Sequence, residues 1–152
     1  MSVDYSEGAI EMRLRQASQL RGLCLSLSKA NSAPANLLAQ FDRVTELWSP
    51  KVVARVNDSY IKVAKVKGEF VWHKHDGEDE LFFIIKGSLR IQMQGGGEVT
   101  LREGELFVVP KDTMHNPVAD EECWLMLIEP VSTKHTGDVE TDRTRSIDEQ
   151  LR

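Results

Sequence analysis

The chain has 152 residues, of which 41% are hydrophobic, enough to bury one core and within the usual size of one domain. With 24 acidic against 19 basic residues the net charge is −5, which argues against a protein built to neutralise nucleic-acid phosphates. Apolar runs such as Leu81–Ile85, Leu106–Val109 and the six-residue Cys123–Ile128 fall far short of the roughly 18 to 20 residues that cross a bilayer, so no membrane span is expected.

The first element predicted is an amphipathic helix over about 8–29, because Ile10, Leu14, Ala17, Leu20, Cys24 and Leu27 recur at spacings of three and four. Asn31 to Pro34 break it. Leu37, Leu38, Phe41, Val44, Leu47 and Trp48 then predict a second, shorter helix that Ser49 and Pro50 stop. No acidic residue occurs between Met12 and Phe41, a composition shared with organellar transit peptides, although Asp4, Glu7 and Glu11 precede it. The expectation is a helical extension over 1–34, docked on the main domain or on a partner subunit, and a main domain over 35–152. Cys24 and Cys123 are too few and too far apart for a disulfide framework or a thiolate zinc site. They read as buried thiols in a reducing compartment, the cytoplasm.

From Lys51 the hydrophobic period changes to two, and turn residues recur every 8 to 12 positions, as in a barrel or sandwich of short strands. Strands are predicted over 52–56, 60–66, 70–75, 80–85, 89–94, 98–101, 106–109, 115–118 and 124–128, so the barrel core spans about 51–129. Their breaks include Asn57-Asp58, Gly68, Asp76-Gly77, Lys86-Gly87, Gly95-Gly96-Gly97, Glu103-Gly104, 110–113 and 119–121. Beyond Pro130 the chain is a polar tail that packs over the barrel or a neighbour and ends in a short helix near 147–151.

The chemistry concentrates in four residues. In Trp72-His73-Lys74-His75 the histidines are two apart, so on a strand both imidazoles face one side, with Val71, and Lys74 faces the other. Glu80 opens the next strand on the face that continues through Phe82 and Ile84. His115 starts a later strand after the turn at 110–113. Three imidazoles and a carboxylate on an apolar wall are each costly to bury alone. One divalent ion, Fe, Mn, Ni, Co or Zn, removes that cost. Asp79 competes with Glu80, but a one-residue shift puts it on the opposite face, so Glu78 and Asp79 read as solvated turn charges. His135, in the tail, reads as a surface histidine unless the tail folds over the barrel mouth. Phe82, Met93 and Trp124 are the expected pocket-lining residues.

The run Gly68, His73, His75, Glu80, Gly87 resembles the first motif of the cupin family: HxH, four residues, Glu, six residues, Gly. Gly104, Pro110 and His115 resemble the second, with five residues between Gly and Pro. The resemblance covers about 36–145 and is greatest to small, single-domain cupins of the mannose-6-phosphate isomerase-like type. It implies an all-β, double-stranded β-helix (a jelly-roll barrel, RmlC-like) that usually forms a homodimer, with His73, His75, Glu80 and His115 as the metal ligands. The chain departs from the motifs at three points: the first glycine is one residue nearer the histidines, Asp112 replaces a glycine, and Ala119 replaces a terminal asparagine. Asp tolerates left-handed backbone better than most residues.

The expected function is a metal-dependent enzyme acting on a small oxygenated molecule, by dioxygenase-like or metal-hydroxide chemistry. A sugar-type isomerase or lyase needs a spare base, for which only Tyr60, Lys62 or His135 are available. A non-catalytic metal-binding or sensing module is the alternative of another class; no helix-turn-helix accompanies the barrel.

Overall fold

Asn36 opens the first helix by capping it: its Oδ1 accepts hydrogen bonds from the Leu38 and Ala39 amides, at 3.0 and 3.3 Å. The computed structural model describes residues 34–152, so the helix expected over 8–29 and Cys24 lie outside the described residues. Helix α1 (Leu37–Gln40) runs into a 3-10 turn (Phe41–Arg43) and stops there, short of the helix expected to reach Trp48. The cause is tertiary. Phe41 and Val44 bury themselves on the outer face of the sheet against Val53 and Val63. Trp48, at φ +58, reaches the strands instead, its backbone N–H donating to the Lys65 carbonyl (2.9 Å) and its Nε1–H to that of Lys67 (2.9 Å). The apolar spacing is satisfied by burial without a helix.

Seven antiparallel strands follow: β1 (Lys51–Val56), β2 (Ser59–Glu69), β3 (Glu80–Lys86), β4 (Ser88–Met93), β5 (Gly97–Arg102), β6 (Leu106–Val109) and β7 (His115–Pro130). They pair in the order β1-β2-β7-β3-β6, with β4 bridging β5 and the start of β7. The β3–β4 connection needs Gly87. Its φ is +84 and a Cβ would lie 2.9 Å from the Glu122 carbonyl oxygen.

Strand β7 closes the barrel. Its first residues pair with β4, Met93 opposite His115, and its second half lies between β2 and β3. The sequence suggested two strands broken at 119–121; instead β7 is continuous, and the polar residues 120–122 form a bulge. On the facing strand Val66 pairs with Cys123 but Gly68 with Ala119, so the extra β7 residues are extruded. The interior is filled by Val66, Phe82, Ile84, Leu89, Ile91, Leu101, Val109 and Leu125, from β2 to β7.

Residues 70–75, expected as a strand, form none; a single bridge joins His73 to His115. The tail ends in helix α2 (Ile147–Gln150), started by a capping box in which Ser146 and Glu149 bond each other's backbone amides. No helix among the described residues is long and apolar enough to cross a membrane.

Candidate metal centre

His73 exchanges both backbone hydrogen bonds with His115, at 3.0 and 2.9 Å, which sets the third imidazole beside the first two. The extended backbone of 73–75 turns both histidines inward and leaves Lys74 outside, paired with Asp76. Glu80 opens β3 opposite Val109 and faces inward in step with Phe82 and Ile84. All four side chains are buried, and their ligand atoms lie within 4.8 Å of one another.

Their orientation explains what they can hold. Nδ1 of His73 sits 2.9 Å from the Val71 carbonyl and Nδ1 of His115 2.9 Å from the Thr113 carbonyl. A carbonyl only accepts, so the hydrogen resides on Nδ1 and Nε2 presents a lone pair. Nε2 of His75 and of His115 each lie 3.2 Å from Glu80 Oε2, and that of His73 3.9 Å. Nε2 of His73 and of His75 are buried without a hydrogen-bond partner. Lone pairs and a carboxylate that converge in a dry interior repel one another unless a proton or a cation lies between them. Burial pushes His73 down to about 4. Burial opposes the charged form of His75 as well, but the Glu80 carboxylate outweighs it and raises the value. Burial alone would raise Glu80; the neighbouring imidazoles of His115 and His75 override it and hold the carboxyl well below its ordinary range. The donor set, three imidazole nitrogens and one carboxylate oxygen, suits a divalent transition metal, and the carbonyls behind His73 and His115 orient the rings as ligand-backing groups do.

Two further polar groups reach the interior near this centre. Lys62 and Glu129 form an ion pair with both side chains fully buried, on the same inward faces as Ala64 and Leu127. Glu129 is pushed up by burial, against the opposing pull of Lys62. Sequence reasoning named Lys62 only as a possible base and missed Glu129, although the period-two run Leu125, Leu127, Glu129 places it inside. His135, read as a surface residue, is 6% exposed and lines a cavity together with His73 and Glu80. The tail does fold over the barrel mouth.

Of the three expected pocket residues, Phe82 lines that cavity. Met93 stands opposite His115 at the end of β4, with its side chain against Gly97. Trp124 lies on the outer sheet face, stacked on Phe41 at 4.8 Å with Lys65 and Lys86 over its ring. Its neighbours Cys123 and Leu125 take the inward positions, so strand alternation turns Trp124 away from the cavity. Asp79 and Glu78 lie in the turn as expected, Asp79 exposed, and both are hydrogen-bonded there: Asp79 accepts from the Lys111 amide at 2.9 Å, and Glu78 from the hydroxyls of Ser132 and Thr133.

Comparison with known proteins settles the family. A Cupin domain model matches residues 60–129. A cupin-2 domain containing protein from Shewanella frigidimarina NCIMB 400 is 40% identical, with a TM-score of 0.62 over 68% of this chain and 98% of that one. The chain belongs to the cupin family. Protein NMB1881 from Neisseria meningitidis is 33% identical, with a TM-score of 0.60 over 64% of this chain and 99% of that one. YdbB of Bacillus subtilis (strain 168) is 34% identical over 80 residues, 53% of this chain and 71% of that one.

The departures from the cupin motifs have local explanations. Gly68 sits at φ +77 at the β2 irregularity opposite the β7 bulge, and Asp112 adopts φ +60, the left-handed turn its glycine counterpart would supply. Ala119 is fully buried in the interior cluster, a position where an amide would need partners.

Proposed function

We propose that this cupin is a metal-dependent enzyme acting on a small oxygenated acid or enol, with His73, His75, Glu80 and His115 as the ligands of one Fe, Mn, Ni, Co or Zn ion. One observation carries the reading: buried Nε2 lone pairs converge on a buried carboxylate, and the cavity wall that holds His73 and Glu80 is, apart from His135, largely apolar. A metal bound there supplies Lewis-acid polarisation of an oxygen ligand, or redox chemistry if it is iron or manganese. The chain's part is to hold the ligand against Phe82, Leu125 and Leu127, keep bulk water out, and set the charge. Lys62 and Glu129 cancel, and Glu80 alone leaves a divalent ion with one uncompensated positive charge. An anionic substrate balances it.

A specific observation favours keeping isomerase or lyase chemistry as the second reading. The interior holds titratable groups beyond the four ligands, Lys62, Glu129 and His135, whereas the sequence suggested a shortage of bases. Elemental analysis of protein purified without added metal tests the main reading, together with oxygen uptake and substrate turnover in the loaded protein. His75→Ala should drop the metal content from about one equivalent to near zero and lower the melting temperature. Full metal content in that variant would overturn the ligand assignment. Tightly held zinc without turnover would instead favour a binding or sensing module.

The assembly proposed is a homodimer. Leu106 and Val108, on edge strand β6, are 58% and 40% exposed beside Phe83 and Leu81 of β3, an apolar strip suited to a second copy. Light scattering checks it. The proposed compartment is the cytoplasm, in keeping with the free thiol of Cys123.

A further inference from the structure

We infer that His135 is a ligand-binding residue, whose Nδ1 accepts a hydrogen bond from a hydroxyl group of the molecule held beside the four-residue centre. The inference rests on the ligand-binding reading above and deepens it by specifying what the bound molecule must carry.

His135 Nε2 lies 3.0 Å from the Arg143 carbonyl oxygen. Because that oxygen can only accept, Nε2 bears the ring hydrogen and Nδ1 is a bare acceptor. Nδ1 is buried and has no partner, in a residue 6% exposed. A buried acceptor left empty is destabilising, and native proteins fill such positions unless a ligand does so. The cavity offers nothing else to fill it. Its walls are largely apolar, among them Trp48, Phe70 and Phe82, and the one indole hydrogen there is already given to the Lys67 carbonyl. The polar lining consists of His73, Glu80 and His135. Burial also keeps the His135 ring neutral, in line with an acceptor.

The segment that carries His135 is fastened to the centre. The Asp138 amide donates to the Lys74 carbonyl and the Lys74 amide to Asp138 Oδ1, both at 3.3 Å. Arg143 Nη1 donates to the Glu69 carbonyl at 2.6 Å, and the Thr136 and Thr144 hydroxyls bond each other at 3.0 Å. Phe70 stands between the rings of His73 and His135, its centroid 5.4 and 6.1 Å from theirs. The histidine is therefore placed by a built loop anchored on the residue between two of the four, not by a stray tail contact. The cavity that His135 lines is small, about 30 Å³, so the molecule that donates to Nδ1 is small or approaches end-on and displaces the loop slightly.

The test uses two monoanions of nearly equal size, glycolate and fluoroacetate; fluorine cannot donate a hydrogen bond. Full-length protein loaded with cobalt(II) is titrated with each, following the visible spectrum, in the wild type, His135→Phe and His135→Asn. The expected result is a glycolate preference of about tenfold in the wild type, the worth of one hydrogen bond. It should fall several-fold in His135→Phe and survive in His135→Asn, which keeps an acceptor near the Nδ1 position. A merely structural role for His135 would shift both affinities together and leave their ratio alone. Equal binding of the two probes by the wild type, or a ratio unchanged in His135→Phe, overturns the inference. Failure of the wild type to retain cobalt would instead refute the metal reading itself, so the two failures are distinguishable.

Discussion

Gly137→Ala tests the seating of the tail loop. Gly137 has φ +58, and a Cβ there would lie 2.1 Å from the Lys74 carbonyl oxygen, 3.0 Å from its carbon and 3.2 Å from His73 Cδ2. Ordinary contact requires the loop to retreat by more than 1 Å, against backbone and not against the end of a flexible side chain. That retreat breaks the two 3.3 Å bonds between Lys74 and Asp138. Each is worth about 1 kcal/mol, and the left-handed conformation costs alanine about 1 kcal/mol more. The sum is about 3 kcal/mol, which corresponds to about 10 °C in melting temperature for a chain of this size. The proper control is Gly104→Ala, at φ +82 with nothing within 4 Å of the added methyl, which should lose only the conformational part. Calorimetry of both variants, with amide exchange over 135–144, measures the difference. If Gly137→Ala is no less stable than Gly104→Ala and exchange over the loop is unchanged, the loop is not seated on Lys74 and the position assigned to His135 fails with it.

The buried Lys62–Glu129 pair predicts an asymmetry. Lys62→Met should cost about 3–5 kcal/mol by leaving Glu129 buried without its cation, whereas Lys62→Met with Glu129→Leu should recover most of it in chemical denaturation; equal losses in the two would refute this. Stability against pH in chelator-treated protein should also respond to His135. Burial holds its pKa down to about 4, so between pH 6.5 and 4 the unfolded chain binds a proton there and the folded protein does not, and stability falls as pH falls. His73 acts in the same direction and the raised His75 in the opposite one, so the difference between wild type and His135→Phe isolates His135: about one proton, or about 1.4 kcal/mol per pH unit inside that window. A flat difference would mean the imidazole is not buried.

Most of the strand positions and the four-residue centre could be read from the chain because both follow from alternation. His73 and His75 share one face of their run and Glu80, Phe82 and Ile84 one face of theirs, so each run's inward set is decided before any strand is paired. Local rules failed where tertiary contact overrides them. Leu37 to Trp48 carry helical spacing, but Phe41, Val44 and Trp48 are buried by a broken chain reaching to the sheet. The polar run Asp120-Glu121-Glu122 looks like a turn, and in isolation it would be one; the continuous pairing of β7 with β2 on either side makes it a bulge. For His135 the chain shows only that a folded tail could bring it to the barrel mouth, not that the tail folds. Its placement depends on Gly137 fitting against Lys74 and on Arg143 reaching Glu69, contacts separated by about sixty to seventy residues in a segment without periodicity.

The distribution of buried groups separates what folds this barrel from what it does. Ile84, Leu89, Ile91 and Leu101, from β3 to β5, bury apolar surface with no polar atom to satisfy, and each stabilises the barrel by about 2 kcal/mol on the transfer scale. Lys62, Glu80, Glu129 and three or more imidazoles collect instead where 73–75, β3 and the ends of β2 and β7 meet. Apolar residues of the same volume would be as stable there or more so, so folding does not account for that end of the interior. The proposed function does: the cation it calls for would need His73, His75 and His115 with Glu80, and the charge left over would need an anion. The bare Nδ1 of His135 then discriminates among anions by whether they can donate a hydrogen bond.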